Sequence, residues 1–219
     1  MSAAAAPSPP MSAPEPPTAV PTQPTALTRR PAALPHGDVN QNPEGMTLGQ
    51  LLREDLHTHD NQLSSPGFWA LAVHRLGNWR MGVKSRTLRP PLSALYRIAY
   101  HGVIAMWGID LPYNCRLGRR IRFEHHGCVF IGVESIGDDV VFRHSATVGL
   151  KDRHATQIPT IGSRVEVGPG ACVVGGISVG DDSYIGANTV LADDLPAGGA
   201  VLGNPARAVK LDDLVSPKP

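Results

Sequence analysis

Three short stretches concentrate the side chains able to move a proton or hold an anion. Glu124, His125 and His126 stand together in "RFEHHGCVFIG". Asp110 lies fifteen residues before His125, and Asp152, Arg153 and His154 follow in "LKDRHATQIPT". A carboxylate beside an imidazole is the minimal general-base unit: it fixes the tautomer and stabilises the imidazolium formed when a hydroxyl proton is taken. An arginine with a second histidine can hold a substrate carboxylate or a tetrahedral oxyanion.

The same residues admit two other readings. Nine histidines are spread along the chain, and any single one is more often a surface or satisfied residue than a catalyst. His125 or His126 with His144 and His154 could also bind zinc. The two histidines five residues apart that build such a site in β-helical carbonic anhydrases of the gamma class do not occur near the repeats, so no metal is expected.

What must position these groups is a periodic scaffold. An aliphatic or aromatic residue recurs every six positions at Leu111, Leu117, Phe123 and Val129, then at Ile136, Phe142 and Val148, then from Ile161 through Val167, Val173, Val179 and Ile185 to Leu191. Gly often follows it, and the site four beyond is commonly Val, Ala, Ile, Ser or Thr. A six-residue period fits neither an amphipathic helix nor a hairpin meander; it fits a solenoid of triangular coils with one hexad per side. Since Phe123 points inward, Glu124, His125 and His126 occupy the next corner. A coil of about eighteen residues lets Asp110 arrive from the neighbouring coil near the same edge. One residue falls out of register between Val129 and Ile136, and "LKDRHATQIPT" interrupts the hexads as an extruded loop, where function concentrates.

Ahead of the repeats, "TLGQLLREDLHTH" opens with a Thr-x-x-Gln capping box and sets Leu48, Leu51, Leu52 and Leu56 on one helical face. A second helix follows Ser65–Pro66 and carries Phe68, Leu71, Ala72, Leu76 and Trp79; a third follows a break at Arg89–Pro90–Pro91. Residues 1–45 hold about half of the 21 prolines and read as a disordered tail. The division is then a tail over 1–45, a helical region over 46–108, a repeat domain over 109–209 and a tail over 210–219.

Twenty basic and 19 acidic residues leave a formal charge of +1, which gives no reason to expect nucleic acid. Cys115, Cys128 and Cys172 lack any CxxC pairing and read as reduced, mostly buried thiols. No stretch approaches the roughly 20 apolar residues of a membrane span, and the N-terminus lacks a secretory pattern. A cytoplasmic protein without a membrane partner is expected.

Together, the hexads, Asp110, Glu124–His125 and Asp152–Arg153–His154 resemble serine O-acetyltransferase, over about residues 65–209. The helix "GFWALAVHRLGNW" is similar to that family's through Gly67, Phe68, Ala70, Leu71, Arg75, Gly77 and Trp79, and "VLGNPARAVK" to the end of the repeat domain in hexapeptide acyltransferases. The resemblance implies a mainly β fold, a left-handed parallel β-helix with an N-terminal helical region. It implies His125, oriented by Asp110, as the base that lets L-serine attack acetyl-CoA directly, giving O-acetyl-L-serine for cysteine biosynthesis. Glu124 would meet the substrate ammonium, while Arg153 and His154 would hold its carboxylate. Acetyl-CoA would lie in a groove between prisms of a homotrimer, touching Gly149, Gly168, Gly170 and Ala187; longer family members pair two trimers through their helical domain. The alternative is another hydroxyl acceptor, a sugar or an amino-acid-like intermediate. No residue before Gly67 aligns with the family's serine-binding Asp, and Asp55 and Asp60 are the candidates. The ending "LDDLVSPKP" lacks the terminal Ile that enters cysteine synthase, so no such complex is expected.

Overall fold

The computed structural model describes residues 39–152 and 154–210. Most of the expected Pro-rich tail, Arg153 and the chain after Lys210 lie outside the described residues.

The capping box forms as read: the Thr47 hydroxyl accepts from the Gln50 backbone N–H, and the Gln50 side chain accepts from Thr47 N–H, opening α1 (Leu48–Thr58). Pro66 sits in the first turn of α2 (Pro66–Trp79). The expected break at Arg89–Pro90–Pro91 is instead the first turn of α3 (Arg89–Trp107). A proline costs nothing there, because the first-turn N–H groups have no acceptor within the helix. Gly108 ends α3 at φ 65°, a left-handed cap.

Helix α2 buries a different face from the one its apolar spacing suggests. Trp79 is 37% exposed, whereas His74, Arg75 and Asn78 are buried with Phe68, Ala70 and Leu71. The reason is the open end of the solenoid. In the first coil alternate residues turn their backbone groups toward the second coil (Arg116 N–H to Glu134 O, Gly118 N–H to Ile136 O), and carbonyls on the outer side have no further strand to pair with. Side chains of α2 take them: Arg75 donates to Leu117 O (3.0 Å) and Gly118 O (2.6 Å), Asn78 to Tyr113 O (2.8 Å), and His74 Nε2 to Cys115 O (3.1 Å). Two glycines allow this approach. A Cβ at Gly67 would stand 2.6 Å from His59 Nε2, and one at Gly77 would stand 2.6 Å from the Tyr96 ring.

The repeats form five turns of a three-faced prism. In chain order the strands are β1 (Ile109–Asp110), β2 (Arg116–Leu117) and β3 (Arg122–Glu124); β4 (Val129–Ile131), β5 (Ser135–Ile136) and β6 (Val141–Arg143); β7 (Thr147–Gly149), β8 (Thr160–Ile161) and β9 (Glu166–Val167); β10 (Cys172–Val174), β11 (Ser178–Val179) and β12 (Tyr184–Ile185); then β13 (Val190–Leu191) and β14 (Ala200–Leu202). Strands pair in parallel with the one three places on, except that β12 pairs with β14, which makes a first face of β1-β4-β7-β10-β13, a second of β2-β5-β8-β11 and a third of β3-β6-β9-β12-β14. A final β15 (Arg207–Val209) runs antiparallel to β14 and covers the far edge. All the six-spaced residues are 5% exposed or less, and the small residues four beyond them are buried at the corners.

The register break differs from the sequence reading. Phe130 pairs with Thr147 and Ile131 with Val148, so Ile131 rather than Val129 continues the inward column. The extra residues therefore lie before β4, in the corner carrying His125 and His126. Three of its residues have positive φ (His125 52°, Gly127 129°, Cys128 52°), where the next corner along the same edge uses only Ser145 (60°). The second interruption is the expected loop: Phe142 pairs with Val167, 25 positions on, against 18 from Val167 to Ile185. Of the three thiols only Cys115 is buried; Cys128 is exposed in the histidine corner, which corrects the expectation of mostly buried cysteines.

Candidate active site

Strand β3 alternates: Phe123 points into the prism, and Arg122 and Glu124 point out on either side of it. His125 and His126 follow as exposed residues on the edge between the third and first faces. Across from them runs the α1–α2 connection. Between the two walls lies a cleft of about 390 Å³ lined by His59, Asp60, Gln62 and Ser64–Pro66 on one side and by Arg122–His126 on the other. An exposed histidine at the rim of a cleft with polar walls can take a proton from a hydroxyl compound held in it.

The helical wall is fixed by polar contacts. His59 is 4% exposed; its Nδ1 lies 2.8 Å from Asp55 O, and its Nε2 accepts from Phe123 N–H at 3.3 Å. One nitrogen meets an acceptor and the other a donor, which sets the tautomer with hydrogen on Nδ1. Burial pushes the pKa of this ring down, so it stays neutral. Arg122 Nη1 donates to Thr58 O (2.7 Å) and Nη2 to Asp60 Oδ2 (2.7 Å), and its Nε lies 3.2 Å from Glu124 Oε1. The Arg122 hydrogen bond holds the Asp60 carboxyl below the usual carboxylate range.

These contacts separate the two aspartates that the sequence left open. Asp55 is fully buried against Arg75 (3.1 Å), where burial pushes its carboxyl up and the guanidinium pulls it down. It belongs to the clamp that closes the solenoid end. Asp60 lines the cleft.

Asp110 comes from the coil before β4, on the outer side of the first face, paired in register with Phe130. Its Oδ1 accepts a short hydrogen bond from the Tyr100 hydroxyl of α3. Burial first, and then the Asp110 carboxylate, push the Tyr100 pKa up, so the phenol remains a donor. Among the described residues no hydrogen bond or ion pair joins Asp110 to His125. The His125 ring instead meets His144, one coil on, edge to face at 6.3 Å. Asp152 organises its loop by accepting from the N–H groups of His154 (2.8 Å) and Ala155 (3.0 Å). That loop leaves β7 at the edge between the first and second faces, across the first face from His125. Gly149 shares the loop's edge, whereas Gly168, Gly170 and Ala187 share the edge of His125. Close stacking explains Gly168 and Gly170 independently: a Cβ at Gly168 would lie 2.8 Å from Ala187 N, and one at Gly170 2.3 Å from Asn188 Oδ1. Among the described residues no group of three His, Cys, Asp or Glu side chains is arranged to hold a metal ion, and no helix is long and apolar enough to cross a membrane.

Sequence reasoning missed Arg122, His59 and Tyr100. Arg122 was within reach, because strand alternation around Phe123 puts it on the same outward side as Glu124. Nothing in the sequence pairs His59 with Phe123 or Tyr100 with Asp110.

Comparison with known proteins bears on this arrangement. Residues 158–193 match the bacterial transferase hexapeptide family (six repeats). A serine acetyltransferase of Helicobacter pylori is 34% identical over 171 residues, covering 76% of this chain and 96% of that protein. An Escherichia coli acetyltransferase assigned to colanic acid biosynthesis, WcaB, is 31% identical over 137 residues, covering 62% of this chain and 83% of that one. Among solved structures, the soybean serine acetyltransferase complexed with serine superposes with a TM-score of 0.63 at 28% identity, over 74% of this chain and 69% of that one. A hexapeptide prism, a histidine-bearing corner and a likeness running nearly the whole length of a curated enzyme converge, and the chain belongs to the serine acetyltransferases, acetyl-CoA-dependent O-acetyltransferases built on the left-handed parallel β-helix.

Proposed function

We propose that this chain transfers the acetyl group of acetyl-CoA to the hydroxyl of L-serine, giving O-acetyl-L-serine and free CoA for cysteine biosynthesis, with His125 as general base and Asp110 orienting it. The observation that carries the reading is the cleft between the helical region and the first coil, which has His125 at its rim and two carboxylates, Asp60 and Glu124, in its walls. His125 removes the serine hydroxyl proton as the oxygen attacks the thioester carbonyl. The tetrahedral intermediate then collapses, the C–S bond breaks, and the imidazolium returns the proton to the departing thiolate. Tyr100 occupies only Oδ1 of Asp110, which leaves Oδ2 for the imidazole.

Arg153 and His154 hold the substrate carboxylate in this reading. Their loop leaves the opposite edge of the first face from His125, so a neighbouring copy supplies it, and the working form is a homotrimer with acetyl-CoA in the groove between prisms. Gly168, Gly170 and Ala187 line one side of that groove and Gly149 the other.

A second reading, acetylation of another hydroxyl acceptor such as a sugar, has two observations in its favour. Glu124, expected to meet an ammonium, is already paired with Arg122 (3.2 Å) and Arg143 (3.6 Å), and WcaB shares 31% identity. The deciding experiment is release of free CoA from acetyl-CoA with L-serine, L-homoserine and a sugar panel, in wild type and His125→Ala. Serine-dependent release that falls by about 10²–10⁴ in the variant supports the proposal. Release only with a sugar sinks the serine assignment; release undiminished in His125→Ala sinks the base.

A further inference from the structure

The cleft's acidic groups do not stand alone. Arg122 bridges Asp60 (2.7 Å) and Glu124 (3.2 Å), and Arg143 bridges Glu124 (3.6 Å) and Glu166 (2.9 Å). The result is an unbroken row, Asp60–Arg122–Glu124–Arg143–Glu166, running from the α1–α2 connection across three coils of the third face. Strand register builds it. Glu124 is level with Arg143 and meets it directly across the ladder, and Val141, two residues before Arg143, is level with Glu166, so Arg143 reaches Glu166 diagonally. Three carboxylates alternate with two guanidiniums, which leaves the row one cation short. Only its first three members line the cleft.

We infer that Arg122 is the positioning residue of the acceptor site: it ties the helical wall to the histidine corner and, with Arg143, sets the charge of the Asp60–Glu124 pair so that the cleft is completed by one ammonium group on the acceptor. Three features of Arg122 carry this. It holds the backbone of the opposite wall through Thr58 O as well as Asp60, so it fixes the width of the cleft. It engages Asp60 (2.7 Å) and Glu124 (3.2 Å) with one guanidinium, so both carboxylates of the cleft are held by the same side chain. The row's net charge of −1 becomes zero when a cationic group enters. Half-exposed ion pairs of this kind are screened, so each change in the row shifts affinity by only a few-fold.

The inference rests on an acceptor that carries an ammonium beside its hydroxyl, as L-serine does. It makes predictions of opposite sign for two residues outside the cleft. Glu166→Gln removes the far carboxylate, leaves the row neutral and raises the KM for L-serine about two- to five-fold. Arg143→Gln leaves the row at −2 and lowers it by a similar factor. Arg122→Gln releases the helical wall and raises the serine KM about ten-fold or more, with the acetyl-CoA KM unchanged and partial recovery in Arg122→Lys. Inhibition by 3-hydroxypropionate, which keeps the carboxylate and hydroxyl but lacks the ammonium, stays constant in Glu166→Gln and Arg143→Gln.

A purely structural role for the row moves Glu166→Gln and Arg143→Gln in the same direction, or shifts serine and 3-hydroxypropionate together; either result overturns the inference. If wild type acetylates only acceptors without an ammonium, the serine assignment fails first, and a lack of serine turnover in wild type marks that case before any variant is read.

Discussion

The two aspartates five positions apart in one segment provide the sharpest test of the architecture. Asp55 and Arg75 are both 0% exposed, and Arg75 also holds two first-coil carbonyls. Asp55→Asn leaves a buried guanidinium without its counter-charge, which costs about 3–5 kcal/mol. For a domain of this size each kcal/mol moves the melting temperature by ~2–4 °C, so the variant should melt roughly 6–20 °C lower. Asp60→Asn, at a side chain 60% exposed, should melt with wild type and instead raise the KM for the acceptor. Replacing both buried partners, Asp55→Leu with Arg75→Met, should recover part of the loss, because no lone charge remains buried. Thermal unfolding by circular dichroism and CoA-release kinetics on the same preparations read both effects. An Asp55→Asn protein as stable as wild type, or one that keeps its melting temperature but loses acceptor affinity, refutes this division of labour between the two aspartates.

Further expectations follow from the same contacts. His74 is fully buried, and burial first, then Arg75, push its pKa down to about 3; His59 is shifted in the same direction. The unfolded chain therefore binds protons that the folded chain refuses below about pH 6.5, so stability is full above that value and falls on acidification. At pH 5 His74 alone should cost about 2 kcal/mol relative to pH 7.5, read as a drop in denaturant midpoint; a flat profile from pH 7.5 to 5 contradicts it. Gly67→Ala, which in an exposed helix would gain up to about 1 kcal/mol, should instead lose ~1–3 kcal/mol, because the new methyl meets His59 and Phe123 at 2.6 and 2.9 Å. Since both neighbours shape the cleft, its acceptor KM should rise as well; a stabilised variant with unchanged KM would show that α2 has room to shift.

Most of the repeat architecture was legible because a solenoid repeats its local rule. Each inward residue is specified by its own hexad, and errors do not propagate, so the columns from Ile136 to Leu191 lie where the spacing puts them. The one misplaced break came from reading Val129 as the next hexad. Val129 and Ile131 are both buried on the same strand, and only the ladder to Val148 tells which continues the column. The helical region was harder. Apolar spacing assigned Leu76 and Trp79 to the core of α2, but an open solenoid end demands hydrogen-bond donors, so His74, Arg75 and Asn78 took the buried face. A period read from hydrophobicity alone cannot see a requirement set by unpaired carbonyls on another element. The corner residues around His125 were visible as a cluster. Arg122, which ties that cluster to Asp60, was passed over because a charged residue in a strand reads as solvated surface until its partner across 62 positions is known.

The helical region therefore does two things with one short segment. Between Asp55 and Asp60 the chain passes from the end of α1 into the loop before α2. Its first carboxylate turns inward to complete the Arg75 clamp, and its second turns outward to form a wall of the cleft. His59 lies between them and couples the two, accepting from Phe123 N–H on the strand that ends in Glu124 and leads into His125. This explains why the cleft sits at the first coil. Every corner from His144 to Asn188 repeats the turn, but only the first coil has an open edge that a helix must cover, and covering it supplies the opposite wall. The cleft is a consequence of how the solenoid is ended.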